Sequence, residues 1–416
     1  MTILENFFNK IKSKSVCFIG KGVSHDLMIK MFQASGINTT VVSRSSGHDY
    51  LDNIHKFDII IRTPGMNFEH AKLTEARKKG CIVTSEMELF FDMCPCNTIG
   101  VTGSDGKTTT TTLIAELLKS AGKTVHLGGN IGHAMFPMLD TITPQDFAVI
   151  ELSSFQLISM RRSPDIAVIT NVTPNHLDVH VTMENYINAK RNIILHQHAF
   201  GKAIINSSCV KQFKPDIRGR LTIYDNDETY TPAKLRGIHN VHNFNMAVTA
   251  VAEYIDERSI ANVAKNFAGV EHRIEFVREF KGVKYYNDSI ATSPTRVLAA
   301  LNAFDENLTV IMGGYDKKIP FEPMADAVCK KVKNLILMGD TKEKIAKAVR
   351  NSKTFDENKL NITFAYDMKE AVDEAYSLSD IGDVVILSPA CASFDMYRMF
   401  EERGKHFKQI VSELNY

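Results

Sequence analysis

Residues 97–122 read NTIGVTGSDGKTTTTTLIAELLKSAG. An apolar run enters a glycine-rich turn, Gly103-Ser104-Asp105-Gly106, and leaves it through Lys107-Thr108-Thr109 into a stretch with helical spacing of its apolar residues. Strand, bent turn, Lys-Thr and helix in that order are the context a phosphate-binding loop requires. Glycines let successive N–H groups point at phosphate oxygens, and the helix adds its positive N-terminal end. Lys107 would place a point charge on the β and γ phosphates, and Thr108 would offer its hydroxyl to Mg²⁺, which takes hard oxygen ligands. The plainer alternative is a Gly-rich turn with a solvated lysine, and the register of all four parts argues against it.

Downstream, the apolar strand FAVI ends at Glu151, and open parallel sheets gather ligands at the C-terminal ends of their strands. A carboxylate there can bind Mg²⁺. Ser153-Ser154-Phe155-Gln156 follows at once, suited either to a polar substrate or to capping a helix. The next strand, IAVITNV, leads to Thr173-Pro174-Asn175-His176-Leu177-Asp178. A histidine alone is more often structural. Glu151, His176 and Asp178, however, are expected to converge on the edge that carries Lys107, which favours a functional reading.

The rest of the chain has the same rhythm. Short β-branched runs at Val16–Ile19, Thr39–Ser43, Asp58–Arg62 and Cys81–Thr84 alternate with helical stretches, and VKYYNDS, LTVIMGG, NLILMGD, NITFAYD and DVVILSPA repeat it beyond His272. The expected class is α/β in three domains, each a parallel sheet with crossover helices, over 1–94, 95–270 and 271–416. A length of 416 residues suits two or three domains. Lys plus Arg number 49 against 48 Asp plus Glu, so no net field holds a polyanion, and no nucleic-acid partner is expected. The start MTILENFFNKIKSKSVCFIG lacks the pattern of an export signal, and no 18-residue apolar run occurs. A soluble cytoplasmic protein without a membrane partner is expected. Seven scattered cysteines suit a reducing compartment, and Cys94 and Cys96 have no second pair to complete a zinc site.

Taken together, TGSDGKTTT, ELSSFQL, NVTPNHLD, the helix ENYINAKRNII around Lys190, HNVHN, EHRIE, NDSIATSPT and LSPACASFD resemble the Mur ligase family over nearly the whole chain. TGSDGKT is a compressed form of the usual GxxxxGKT spacing, similar to the ATP loops of Mur ligases and folylpolyglutamate synthetases. ELSSFQL and SPACASFD look like the members that add D-glutamate to UDP-N-acetylmuramoyl-L-alanine in peptidoglycan synthesis. A sister ligase using another amino acid, or a non-catalytic relative that binds UDP-sugars, are the alternatives. The resemblance implies an N-terminal Rossmann-like domain, a central P-loop ATPase-like domain and a C-terminal Rossmann-like domain that closes over the site, in an ATP-dependent acid–amino-acid ligase working through an acyl phosphate; a monomer is expected.

Residue by residue, the resemblance implies that Gly103, Ser104, Asp105, Gly106, Lys107, Thr108 and Thr109 cradle ATP. Asn240 and Asn243 would lie on the adenine side, and Arg273 and Asp288 against phosphates and ribose. Two Mg²⁺ sites would use Thr108, Glu151, His176 and a carbamylated Lys190, since CO₂ added to a neutral buried amine creates a carboxylate. Lys107, His176 and Lys190 are the expected catalytic set. UDP and muramoyl contacts would come from Gly22, Val23, Ser24, Arg44, Thr63, Pro64, Gly65, Asn130 and Ser153, a contact to the incoming substrates from Lys317, and D-glutamate contacts from Ser393, Phe394 and Phe400. Five positions depart from the pattern. Ile290 stands where many members have lysine, with Arg296 as a substitute charge. His25 replaces a frequent glycine, Ser43-Arg44 replaces an acidic start, and Asn175 stands for a common Asp.

Overall fold

In the computed structural model, which describes residues 1–20, 22–47 and 49–415 without the side chains of Val23, Ser24 and Asp178, the apolar runs become strands of three sheets. Of the expected UDP contacts Gly22, Val23 and Ser24, the side chains of the last two lie outside the described residues, and Gly22 caps the helix Val23–Ala34.

The first sheet holds β1 (Ser15–Ile19), β2 (Asn38–Val42), β3 (Ile59–Arg62) and β4 (Ile82–Thr84), ordered β2-β1-β3-β4 and all parallel. The second holds β5 (Asn97–Thr102), β6 (Val125–Gly129), β7 (Phe147–Glu151), β8 (Ile166–Ile169), β9 (Lys202–Asn206) and β10 (Arg220–Tyr224), ordered β10-β9-β8-β5-β7-β6 and also parallel. Every residue of β7, β8 and β9 is buried, as a strand covered by helices on both faces requires.

These two sheets belong to one compact unit, residues 1–232 with 239–265. One apolar cluster runs through both, from Phe8, Phe18 and Phe32 of the first to Phe136, Ile150 and Ile205 of the second. Phe32 and Phe136 meet at 5.9 Å between ring centres. Arg62, fully buried at the end of β3, donates to the Phe155 carbonyl at 3.1 Å and to Ser159 Oγ at 2.6 Å.

The second unit, residues 233–238 with 266–416, carries a sheet of β11 (Glu275–Phe280), β12 (Val283–Asn287), β13 (Leu308–Gly313), β14 (Val332–Met338), β15 (Asn361–Phe364) and β16 (Val384–Leu387). Its order is β11-β12-β16-β13-β14-β15, with only β11 antiparallel among these pairings. β16 enters last, between β12 and β13, so the segments after Asn287 and Leu387 become neighbours.

Both doubly wound sheets have a switch point that positions chemistry. In the first unit β5 sends its crossover helix, Lys107–Ser120, toward β6, while β8 leads through helix Met183–Leu195 to β9 on the other side. The crevice outside the C-terminal ends of β5 and β8 is where ligands gather in such sheets.

Candidate active site

The turn after β5 is held from β8. Ser104 and Asp105 donate backbone N–H groups to Asn171 Oδ1 at 3.1 and 2.9 Å, and Thr170 Oγ1 donates to the Asp105 carbonyl at 2.6 Å. A Cβ at Gly103 would overlap Thr170 Oγ1, so close approach alone demands glycine there. Gly106 caps the helix at φ +75°, and its Cβ would stand 2.5 Å from Asn243 Oδ1. Glycine is required at this second position twice over, by backbone conformation and by space. Thr108 and Thr109 are buried in the first turn of the helix, whose leading N–H groups have no partner within the helix.

Two lysines meet at this turn. Lys107 Nζ donates to the carbonyls of Gly103 and Ser104 at 3.0 and 2.7 Å. Lys190, only 1% exposed on helix Met183–Leu195, donates to Thr102 Oγ1 at 3.1 Å and to the Gly103 carbonyl at 2.9 Å. Burial first, then the Lys107 charge, push the Lys190 amine down to about 7, against the pull of Glu151 and Asp105. A helical lysine that reads as solvated from sequence is thus a buried amine with a large neutral fraction near neutral pH.

Glu151 ends β7, 1% exposed. Asn130 Nδ2 donates to its Oε1 at 2.7 Å, and its Oε2 is buried with no hydrogen-bond partner. An orphaned buried carboxylate oxygen is costly unless something binds it. Mg²⁺, which takes hard oxygen ligands, fits that position.

His176 has left-handed backbone geometry, φ 54°, with its N–H bonded to Asn175 Oδ1 at 2.9 Å. Its exposed ring sits 5.1 Å from that of Phe155 and 6.5 Å from that of Tyr186. Tyr186 in turn lies under Lys190 Nζ at 4.7 Å, and its hydroxyl is 3.2 Å from Ser104 Oγ. Lys107, Lys190, Glu151 and His176 thus surround one rim. Of the expected convergence of Glu151, His176 and Asp178, the Asp178 side chain lies outside the described residues; among those described, no three His, Cys, Asp or Glu side chains could hold one metal. The Thr108 hydroxyl, nucleotide phosphates or a modified Lys190 would have to complete any coordination.

The remaining residues of the first unit divide. Asn243 packs on the phosphate turn, accepting from Thr110 Oγ1 at 3.4 Å and donating to Asn240 Oδ1 at 3.2 Å. A cavity of about 210 Å³ is lined by His25, Pro64, Glu86, Asn130 and Gln156, bringing the Thr63-Pro64-Gly65 turn to Asn130. Thr63 is fixed by its N–H to the Ile19 carbonyl at 3.2 Å. His25, 2% exposed, fills the space beside Phe18 and its Nδ1 faces the Gly20 carbonyl at 3.3 Å. Arg44 lies exposed in a short 3₁₀ turn. Ser153 forms a capping box, its hydroxyl donating to Gln156 Oε1 at 2.9 Å and accepting the Gln156 N–H at 3.3 Å.

In the second unit, Asp288 follows β12 and accepts from Ser388 Oγ at 2.9 Å and from the Ile274 N–H at 3.2 Å. Burial pushes its carboxyl up to about 7, opposed by these bonds and by Arg273. Lys317 Nζ donates to the Thr292 carbonyl at 3.3 Å. Arg296 donates to the Ile290 carbonyl at 2.8 Å, so a guanidinium does lie beside the position that lacks lysine. Ser393 is buried with its Oγ unpartnered, while Phe394 is 64% exposed and meets Tyr315 edge-on at 5.8 Å. Phe400 begins the last helix, 5.9 Å from the His272 ring. Sequence reasoning missed Arg403, a buried guanidinium among these turns, because an arginine on a charged helix face ordinarily reads as solvated.

Comparison with known proteins fixes the family. The Mur ligase middle domain matches residues 101–222, and the Mur ligase glutamate ligase domain matches 272–391. Proteins named UDP-N-acetylmuramoylalanine–D-glutamate ligase are similar along almost their whole length: that of Acetivibrio thermocellus is 42% identical, covering 99% of each chain, and that of Clostridium kluyveri is 43% identical with the same coverage. The chain belongs to the UDP-N-acetylmuramoylalanine–D-glutamate ligase branch of the Mur ligases. Solved Mur ligases share the fold at low identity. UDP-N-acetylmuramate-alanine ligase of Thermotoga maritima superposes with a TM-score of 0.58 at 16% identity, over 96% of this chain and 99% of its own. The MurF ligase of the same organism, solved with ADP, gives 0.55 at 17% identity over 96% of each chain. Among the described residues, no helix is long and apolar enough to cross a membrane.

Proposed function

We propose that this Mur ligase joins D-glutamate to UDP-N-acetylmuramoyl-L-alanine using ATP, in peptidoglycan precursor synthesis. The observation that carries the reading is the gathering of Lys107, Lys190 and the orphaned Glu151 oxygen around the C-terminal ends of β5 and its neighbour β7 in a chain 42% identical to a named D-glutamate ligase.

A carboxylate repels nucleophiles at neutral pH, so its oxygen must first be made a leaving group. The L-alanyl carboxylate oxygen attacks the γ-phosphorus of ATP, ADP departs, and an acyl phosphate remains. The D-glutamate amine, deprotonated, attacks the carbonyl carbon; the tetrahedral oxyanion collapses and phosphate leaves with the former carboxylate oxygen. Phosphoryl transfer of this kind asks the protein for positioning and charge. Lys107 and the N-terminal end of helix Lys107–Ser120 offset phosphate charge, and Asn130 orients Glu151. Glu151, Thr108, His176 and a carbamylated Lys190 would hold two Mg²⁺ ions, which when bound supply further charge to the γ-phosphoryl and the oxyanion.

The cavity at Pro64, Asn130 and Gln156 is read as part of the UDP-substrate site. Arg273 and Asp288 are read on the nucleotide, Lys317 on the incoming substrates, and Ser393, Phe394 and Phe400 on D-glutamate, with three functional parts over 1–94, 95–270 and 271–416. A monomer in the cytoplasm completes the reading. The test is phosphate release with ATP, Mg²⁺ and UDP-N-acetylmuramoyl-L-alanine: D-glutamate should drive it and L-glutamate should not. Equal or greater release with another amino acid would overturn the assignment.

A further inference from the structure

Arg403 lies on the first turn of helix Phe400–Glu413 and is 2% exposed. Its guanidinium reaches backward into two turns at once. Nε donates to Ser289 Oγ at 3.0 Å and one terminal nitrogen to the Ser289 carbonyl at 2.8 Å, both in the turn after Asp288. That same nitrogen donates to the Cys391 carbonyl at 3.1 Å, and the other terminal nitrogen to the Ala392 carbonyl at 3.1 Å, directly before Ser393 and Phe394. Ser289 Oγ completes the clasp by donating to the Phe400 carbonyl at 2.7 Å.

All these acceptors are neutral. A buried cation with hydroxyl and carbonyl partners is costly, because their dipoles replace just part of its hydration. Burial holds the guanidinium down to about 10, and the nearby Asp395 carboxylate offsets only part of that cost. A neighbouring group gives the arrangement a use. Ser393 is 2% exposed, its hydroxyl has no partner, and it is the next donor along the chain from the two clasped carbonyls. An amino acid with two carboxylates reaching that hydroxyl would also complement the remaining positive charge. Lysine could not replace the fork, since a single ammonium cannot bond four acceptors in two turns.

We infer that Arg403 is a positioning residue for the acidic amino acid: it ties the 391–394 loop to the Asp288-Ser289 turn and lends its charge to the surroundings of Ser393 Oγ. The inference rests on the reading of this chain as a D-glutamate ligase.

Steady-state kinetics on the full chain test it, with wild type, Arg403→Lys, Arg403→Met and the milder Ser289→Ala. Arg403→Lys should raise KM for D-glutamate about tenfold, the scale of one charge-assisted contact, and raise it more than KM for ATP, which the Asp288-Ser289 turn can also move. Arg403→Met should raise it further, because charge and fork are both lost. Ser289→Ala removes one acceptor, and a rise of about threefold in the same KM is expected even if the Arg403 variants fail to fold. A uniform loss of kcat with KM for D-glutamate unchanged in the variants that fold would overturn the positioning role while leaving the enzyme's reaction intact. Wild type without D-glutamate-dependent phosphate release would instead remove the reading itself, and this inference with it.

Discussion

The side-chain nitrogens of Lys107 and Lys190 donate to one oxygen, the Gly103 carbonyl, at 3.0 and 2.9 Å. Burial first, and then repulsion from Lys107, bring the Lys190 amine down to about 7 while Lys107 stays bonded to the loop. Lys107→Ala should therefore reduce D-glutamate-dependent phosphate release by about 10²–10³-fold or more, the scale of losing one preorganised charge-stabilising donor. Quenched-flow or malachite-green phosphate assays would show it, and activity within tenfold of wild type would contradict the role.

Lys190→Ala removes the amine from a site that is otherwise closed by Thr102, Gly103 and Tyr186. If a carbamate on Lys190 supplies the missing carboxylate, short-chain acids such as formate or acetate should restore part of the lost activity in a saturable manner. Absence of rescue at any acid concentration would speak against the carbamate.

Gly106→Ala should impair nucleotide binding more than it unfolds the chain. A side chain at φ +75° costs about 1–2 kcal/mol, and the new methyl group would press on Asn243 Oδ1 at the turn. The expected outcome is an ATP KM raised about tenfold or more. An unchanged ATP KM would mean that the turn does not hold the phosphates.

Asp288 gives a pH signature. Its folded value, about 7, lies above the ordinary aspartate value near 4, so between roughly pH 4 and 7 the native state keeps a proton that the unfolded chain releases. Stability from this group is complete below pH 4 and is lost as pH rises through 7. The Asp288→Asn variant has nothing to titrate at this position, so its stability relative to wild type should climb from pH 4.5 to 7.5 in the absence of nucleotide. Thermal melts at several pH values measure it; a constant difference would refute the buried, protonated carboxyl.

The phosphate turn was readable from sequence because its signal is local: a bend that only glycine allows, between Val101 and Lys107. Strands buried on both faces, such as β7 and β13, were readable as continuous apolar runs for the same reason. β11 was not, since EFVREF is half-buried at a sheet edge and its antiparallel pairing depends on β12. Nor were Arg62 and Arg403, whose partners lie 93 and 114 residues away in Phe155 and Ser289. Ser153 shows the opposite limit. Its hydroxyl satisfies a capping box, the plainer of the two readings its sequence context allowed.

What unites these residues in the proposed function is one piece of chemistry: the rim would prime a carboxylate by moving phosphoryl onto it. That step can be read by supplying UDP-N-acetylmuramoyl-L-alanine with ¹⁸O in both carboxylate oxygens and weighing the phosphate released during D-glutamate addition. An acyl phosphate requires one ¹⁸O in each phosphate formed. Phosphate carrying no label, released in step with product, would show that the carboxylate was never phosphorylated.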